Sequence, residues 1–203
     1  MFTGLIREMA KVLSFNNNFL TLKAKYRPNI GDSIAVNGAC LTVVLLNNDN
    51  FTVELSPESQ KTLAMENYKG EVHIEPAMQM GDRFEGHVVQ GHVDCVGVIK
   101  TISKNGNSTD YIISLPKEFL RYIIPKGSVT IDGVSLTINE VFNDGFRLTI
   151  IPHTIENTLF KAYKKGTKVN IETDMFARYI YNMFKSKDEG ISWDKVDAIM
   201  ARY

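Results

Sequence analysis

Two short segments of the chain place small hydrogen-bonding side chains at alternating positions, a pattern that can hold a small ligand. The first is Cys40-Leu41-Thr42, and the second is Ser135-Leu136-Thr137. Apolar residues flank both segments, so each is expected on a strand, where side chains two residues apart point to the same face. Two interpretations are open for these groups: hydroxyls buried against the backbone, and a ligand site at a barrel mouth that occurs twice.

His87 and His92 could act as an acid or a base if either reaches a substrate, because histidine titrates near neutral pH. They lie in the segment 86–92, whose glycines are typical of a loop that enters a strand. No third ligand follows at a usable spacing, so two histidines alone do not predict a metal site. The alternative for each histidine is a satisfied structural role.

Both candidate segments belong to an internal repeat. Residues 33–43 match residues 128–138 at an offset of 95 without a gap, and apolar positions match apolar positions. Three further stretches follow the same duplication, the last two at shifted offsets: 51–57 with 146–152, 72–75 with 169–172, and 3–6 with 90–93. A long period that occurs only twice indicates duplicated domains rather than a solenoid. We expect domains at residues 1–86 and 87–175, followed by a C-terminal segment, 176–203.

Each copy has the pattern of several short strands. Polar and apolar residues alternate at 33–37, 51–55 and 72–75, and asparagine and glycine clusters between such runs predict hairpin turns. Short strands at close spacing suggest a small barrel, which leaves no exposed sheet edge. Residues 116–120 predict a short helix.

The C-terminal segment is expected to be helical. Phe176, Ile180, Met183 and Phe184 form an apolar stripe at helical spacing, and Asp174 is a plausible N-cap. A second short helix is expected from Ser192, carrying apolar residues at 196, 199 and 200. The first copy has no such tail. Oligomerisation and packing on the chain's own barrel are both open as its role.

Composition excludes some partners and sites. Lysine plus arginine and aspartate plus glutamate each number 23, whereas nucleic-acid-binding proteins usually carry a basic excess. The two cysteines, Cys40 and Cys95, make no metal-ligand pattern or disulfide framework and fit a reducing compartment. No signal peptide is recognisable, and no apolar run approaches the ~18 residues that span a bilayer. We therefore expect a cytoplasmic protein without nucleic-acid or membrane partners.

Four motifs together resemble one family. Met-Phe-Thr-Gly at the N-terminus, Asn-Gly-Ala-Cys-Leu-Thr, Gly-His-x-x-x-Gly-His and Ile-Asp-Gly-Val-Ser-Leu-Thr occur in this order. On a duplicated chain of this length, the set resembles riboflavin synthase over about residues 1–185. The resemblance implies an all-β fold of two tandem, duplicated six-stranded antiparallel Greek-key β-barrels with a C-terminal α-helix. It also implies a homotrimer assembled through those helices.

The resemblance further implies an activity, the last step of riboflavin biosynthesis. Family members move a four-carbon unit between two molecules of 6,7-dimethyl-8-ribityllumazine, giving riboflavin and 5-amino-6-ribitylaminouracil, with no metal or organic cofactor. The N-terminal barrel of one chain faces the C-terminal barrel of a neighbour, so the reaction occurs between chains. Association with lumazine synthase is a further partner that the resemblance raises.

Site residues carried over by the resemblance fall into two pockets. The first would be lined by Gly4, Leu5, Ile6, Cys40, Leu41, Thr42, Glu54, Leu55, Ser56, Pro57, Glu58 and Ser59. The second would be lined by Gly91, His92, Val93, Lys126, Ser135, Leu136, Thr137, Ile150, Ile151, Pro152, His153, Thr154 and Ile155. The candidates for polar, proton-transfer and packing roles in catalysis are Cys40, His92, Ser135, Thr137, Asp174 and Phe2.

The two copies are expected to differ after their matched prolines. The segment from Pro57 to Thr62 is interpreted as one residue shorter than its counterpart from Pro152 to Thr158, with Gln60 where an apolar residue is common. We therefore expect the first pocket to depart from the family pattern near residues 58–62.

Two alternative functions remain. A non-catalytic antenna protein of the same fold binds lumazine or flavin, typically at one barrel, whereas polar groups here persist in both copies. A flavin-binding reductase would need an attached nicotinamide-binding βαβ domain, and no G-x-G-x-x-G follows a strand.

Overall fold

The structure is a computed structural model and describes residues 1–188. The first copy forms a closed barrel of six antiparallel strands, in the order β1-β2-β5-β4-β3-β6. Their bounds are β1 (Glu8–Asn16), β2 (Phe19–Lys23), β3 (Ser33–Val36), β4 (Ala39–Leu46), β5 (Asn50–Glu54) and β6 (Glu71–Pro76). Pairing of β6 with β1 closes the barrel.

The second copy repeats this topology, which confirms the expected duplicated barrels. Its strands are β7 (Cys95–Asn105), β8 (Ser108–Ser114), β9 (Ser128–Ile131), β10 (Val134–Val141), β11 (Gly145–Ile150) and β12 (Lys168–Thr173). They close in the equivalent order, β7-β8-β11-β10-β9-β12. The order departs from the chain sequence in the same way in both barrels, which is the Greek-key arrangement of the prediction.

Within residues 1–188, three α-helices and three 3₁₀ turns connect or follow the strands. Helix α1 (Pro57–Thr62) follows β5, and helix α2 (Pro152–Glu156) holds the equivalent place after β11. Helix α3 (Met175–Asp188) follows β12. The 3₁₀ turns lie at Met65–Asn67, Lys117–Tyr122 and Leu159–Ala162, and the second confirms the short helix predicted near residue 116.

Each barrel has its own apolar core, because side chains alternate between the interior and the outside along each strand. Matched aromatic residues, Phe51 and Phe146, are fully buried in the first and second cores. The predicted hairpin turns all join neighbouring strands: β1–β2, β4–β5, β7–β8 and β10–β11.

The two barrels contact each other at a pair of glycines in equivalent turns. Gly38 turns β3 into β4, and Gly133 turns β9 into β10, both with positive φ angles of 82° and 83°. A Cβ on Gly38 would lie 2.7 Å from the backbone nitrogen of Gly133, and one on Gly133 would lie 2.9 Å from that of Gly38. Only glycine permits this contact, which places the two polar strand segments on either side of an approximate two-fold axis.

Helix α3 packs one side on its own second barrel. Arg121 donates to the Tyr181 hydroxyl at 3.1 Å, and the Tyr122 and Tyr181 rings meet edge to face. Its other side exposes large apolar residues, each more than half accessible: Phe176, Tyr179, Ile180, Met183 and Phe184. The surface of α3 is therefore compatible with both expected roles, oligomerisation and packing on the chain's own barrel. The helix expected from residue 192 lies outside the described residues, and within residues 1–188 no helix is long and apolar enough to cross a membrane.

Candidate active site

The N-terminal segment belongs structurally to the second polar strand. The Ser135 amide donates to the Gly4 carbonyl at 2.8 Å, and a Cβ on Gly4 would lie 2.5 Å from the Ser135 Cβ. Gly4 has a φ of 79°, so its small size and left-handed backbone are both used here. Residues 4–6 therefore border the strand that carries Ser135, the second copy's segment.

The linker between the two barrels, residues 77–94, makes the equivalent contact with the first polar strand. The Cys40 amide donates to the Gly91 carbonyl at 2.8 Å, and a Cβ on Gly91 would lie 2.6 Å from the Cys40 Cβ. Gly91 also has a φ of 79°. The predicted grouping of pocket residues is therefore wrong: residues 91–93 join Cys40, and residues 4–6 join Ser135. Each barrel's polar strand is completed by the segment that leads into the other barrel.

Residues 3–6 and 90–93, here called the crossed segments, are each held by a buried glutamate. Glu75 on β6 accepts from the amides of Thr3 and Gly4, at 2.8 and 3.0 Å. Its counterpart on β12, Glu172, accepts from the amides at residues 90, 91 and 92, at 2.7 to 3.0 Å. Burial raises the pKa of Glu172 to about 7, against the opposing effect of its amide donors. Sequence comparison matched these two residues within the repeat without revealing this role.

The first pocket is a cavity of about 260 Å³ between β4, α1 and the linker. Its wall combines predicted residues of both groups and several neighbours: Ala39, Cys40, Ser56, Glu58, Ser59, Thr62, Leu63, Gly91, His92 and Val93. Ser56 caps α1 by accepting from the Ser59 amide at 3.0 Å, which fixes the helix at the cavity wall. Phe2 is buried against Ala35 and Val89 and packs on Cys40 beside this pocket.

Ser135, on the second polar strand, pairs with His87, which lies between β6 and β7. Nδ1 of His87 lies 2.7 Å from the Ser135 hydroxyl. Burial lowers the pKa of His87, and the negative charge of Asp174 partly opposes that shift. The neutral ring can accept the hydroxyl proton, so the pair can activate an oxygen near neutral pH. From the sequence, a satisfied structural role and an acid or base role are both open for His87, and its contact with Ser135 favours the second.

The other histidine and the threonines are more exposed. His92 lies at the mouth of the first pocket rather than beside Ser135. Thr42 and Thr137 are exposed on β4 and β10, opposite Ser33 and Ser128 on the neighbouring strands.

The remaining predicted residues divide between core and surface. The side chains of Leu41, Leu55 and Ile150 lie in the barrel cores, so only their backbone groups could reach a ligand. Lys126 is exposed in a left-handed turn with φ of 66°. Helix α2 begins after Ile151 and contains the remaining predicted residues of the second pocket, 152–155.

The segments after the matched prolines have equal length, which contradicts the predicted one-residue shortening. Ala64 follows Pro57 by seven residues, and Leu159 follows Pro152 by seven. Both residues donate their amides to equivalent side chains, Asn170 and His73. The two extra residues of the second copy come later, between the 3₁₀ turn and β12.

Helix α3 begins beside the linker segment at residues 90–94. Asp174 accepts from the Phe176 amide at 2.8 Å, which confirms its predicted N-cap role. Arg178, one turn further, donates to Asp94 and Gln90, each at 2.8 Å. The helix is thereby tied to the linker that forms one wall of the first pocket.

Comparisons with known proteins agree with this architecture. A model of the lumazine binding domain matches residues 3–77 and 90–174. The riboflavin synthase of Photobacterium phosphoreum is 39% identical over 97% of both chains. That of Bacillus subtilis (strain 168) is 39% identical, covering 93% of this chain and 92% of its own.

A solved structure shares the fold. The crystal structure of LumP complexed with riboflavin superposes with a TM-score of 0.74, covering 85% of this chain and 99% of that one, at 22% identity. The barrels and the family match define a protein of two tandem lumazine-binding domains. The chain belongs to the riboflavin synthase family.

Proposed function

We propose that the chain converts two molecules of 6,7-dimethyl-8-ribityllumazine into riboflavin and 5-amino-6-ribitylaminouracil. The observation that carries the proposal is a pair of related but unlike polar strand sites, one at Cys40 and one at Ser135, each completed by a crossed segment. Two identical substrates need two similar pockets, and a donor and an acceptor need pockets that differ. Relatives at 39% identity over nearly the whole chain are named riboflavin synthase.

The crossed segments contribute different side chains to the two pockets. Cys40 is joined by His92 at the first pocket, whereas Ser135 is joined by Leu5 and by the His87 ring at the second. An activated hydroxyl or a water that it orients could add at C7 of the lumazine in the second pocket. Asp174 would stabilise the protonated His87 ring through its charge. We therefore assign nucleophile activation to the second pocket.

The other lumazine must lose a proton from its C7 methyl group, and the resulting anion is delocalised into the ring. His92, Cys40 and Glu58 are titratable groups that border the first pocket and could receive or return protons there. Holding the two rings face to face would supply much of the rate through orientation. This step requires that a first pocket and a second pocket face each other.

We further propose that three chains assemble through α3, so that the two facing pockets come from neighbouring chains. The exposed side chains of Phe176, Ile180 and Phe184 on one side of α3 support this, because a contiguous exposed apolar patch marks a protein–protein interaction site. In this proposal each chain consists of domains at residues 1–86 and 87–175 followed by a C-terminal segment, 176–203, whose described part, to residue 188, belongs to α3. The free thiols Cys40 and Cys95 are compatible with a cytoplasmic location. Association with lumazine synthase stays a prediction.

The second candidate is an antenna protein, favoured by the structural likeness to LumP, which is limited to the fold. The test is incubation of the purified chain with the lumazine alone in buffer that contains a chelator. Growth of riboflavin absorbance and fluorescence supports the proposal. Tight binding of the lumazine without any product contradicts it and favours the antenna function.

A further inference from the structure

A buried side chain from each barrel bonds to the backbone just after the short helix, α1 or α2, of the other barrel. These two helices are called the pocket helices below. His73 on β6 accepts from the Leu159 amide, three residues after α2, with 2.7 Å between Nε2 and N. Asn170 on β12 accepts from the Ala64 amide, two residues after α1, with 2.7 Å between Oδ1 and N. Both side chains are almost fully buried.

The same two side chains also donate across the barrel contact. His73 Nδ1 lies 2.8 Å from the Asp132 carbonyl, and Asn170 Nδ2 lies 2.8 Å from the Asn37 carbonyl. These carbonyls precede the two glycines at which the barrels meet. The histidine and the amide therefore make the same two-point bridge, related by the approximate two-fold axis of the duplication.

The bonding defines the state of the His73 ring. A carbonyl only accepts, so Nδ1 carries the hydrogen, and an amide only donates, so Nε2 carries none. Burial lowers the pKa of His73 to about 4, which agrees with a neutral ring. A ring in this tautomer offers one acceptor and one donor in fixed directions, as the Asn170 amide does.

We propose that His73 and Asn170 are positioning residues, each of which sets the pocket helix of the opposite barrel relative to the barrel contact. His73 holds the segment 150–159 of the second pocket, and Asn170 holds the segment 56–64 of the first. The helices are short, with six and five residues, so a buried bond two or three residues beyond their ends restricts much of their freedom. The inference rests on the proposed function only for the identity of the ligand.

Hydrogen exchange measured by mass spectrometry on the full chain tests the crossed assignment without ligand. His73→Ala should speed exchange in peptides spanning 150–160 by about tenfold or more and leave 56–65 within about twofold. Asn170→Ala should do the reverse. Loosening of the variant's own barrel helix, or of both helices equally, would overturn the proposal.

The conservative variant His73→Asn separates positioning from simple packing. An asparagine makes the equivalent bridge at 170, so His73→Asn should restore most of the slow exchange at 150–160 that His73→Ala loses. Exchange as fast as in His73→Ala would contradict the proposed bridge. Should His73→Ala fail to fold, the same bond can be tested in the wild-type chain by NMR. A ¹⁵N–¹⁵N coupling between Leu159 N and His73 Nε2 would support the bridge, and its absence would overturn the assignment.

The lumazine substrate serves as the probe of function. At a concentration that protects both 56–63 and 150–158 in the wild-type chain, His73→Ala should lose protection at 150–158 only. Equal loss at both segments would contradict pocket-specific positioning. If His73→Ala loses protection at 150–158 only but the wild-type chain forms no riboflavin, the proposed function is refuted and the positioning roles stay intact.

Discussion

The Ser135 hydroxyl lies 2.7 Å from Nδ1 of the buried His87 ring, beside a glycine turn that comes from the chain's N-terminus. Gly86 leaves the space for this arrangement, because a Cβ there would lie 2.2 Å from the Thr3 carbonyl oxygen and 3.3 Å from the Ser135 hydroxyl. The pair is thus enclosed by three stretches of chain that are far apart in sequence. Such enclosure restricts the hydroxyl to few orientations, as an activated oxygen requires.

His87→Ala should lower kcat by about 10² to 10⁴, the usual contribution of a positioned base, while the lumazine dissociation constant changes little. In the wild-type chain, activity falls as pH decreases through the pKa of His87, which burial holds below its ordinary value. That acidic limb should disappear in the variant. Steady-state rates across the pH range, together with fluorescence titration of the lumazine, provide the measurement.

Ser135→Ala is the matched partner of this variant. If the two residues act as one unit, the double variant should be about as slow as the slower single variant. Multiplicative losses would show that the serine and the histidine act independently and would remove the basis for assigning nucleophile activation to this pair.

Gly91→Ala should damage the first pocket, because the new Cβ would lie 2.6 Å from that of Cys40 and the φ of 79° strains any other residue. Gly106→Ala is a suitable control, since its φ of 59° is also positive but its Cβ would meet open space. We expect Gly106→Ala to cost about 1 kcal/mol of stability with unchanged ligand binding. Gly91→Ala should in addition weaken lumazine binding at least about tenfold in isothermal titration. Equal effects of both variants on binding would contradict the crossed pocket.

Stability should depend on pH through His73. Its folded-state pKa is lowered to about 4, whereas an unfolded histidine titrates near 6.5, so the unfolded chain binds the extra proton between these values. Stability from this group is therefore complete above about pH 6.5 and decreases as pH falls toward 4, by up to about 3 kcal/mol. Urea unfolding of the wild-type chain and of His73→Asn at pH 7, 6 and 5 should show a gap that narrows with acidity. A difference in unfolding free energy between the two chains that stays the same at all three pH values would refute the dependence on His73.

The double variant Ile180→Glu with Phe184→Glu should dissociate the proposed trimer, because it places charges on the exposed apolar side of α3. Light scattering should give three times the 22.9 kDa chain mass for the wild-type chain and one chain mass for the variant. Lys185→Glu, on the other side of the helix, is the control and should remain trimeric. The monomer should still bind lumazine but turn over at least about 10² times more slowly. Full activity in a proven monomer would contradict the inter-chain site.

The duplicated fold could be predicted from the sequence because its signals are local. Alternation within strands and asparagine and glycine turns each act over a few residues, and the gapless match of residues 33–43 with 128–138 shows the duplication directly. The match of Asn37 with Asp132 and of Cys40 with Ser135 located both polar strands correctly. The lumazine-binding domain match over both copies confirms the duplication.

The crossing of the segments could not be predicted in the same way. Gly4 and Gly91 match each other within the repeat, and either could have packed on Cys40 or on Ser135 without changing any local pattern. The choice depends on contacts more than 40 residues apart, such as those of Glu172 with the linker. The expected one-residue shortening after Pro57 is wrong because the buried amides of Ala64 and Leu159 fix the equivalence of the two segments, and backbone amides have no signature in the sequence.

The most direct test of the account is a mass balance. The purified chain is supplied with 6,7-dimethyl-8-ribityllumazine alone, and the lumazine consumed and both products are quantified by chromatography over a full time course. The account predicts that two lumazines disappear for each riboflavin and each 5-amino-6-ribitylaminouracil formed, with Ser135→Ala strongly slowed. Lumazine that binds but is recovered unchanged would contradict it.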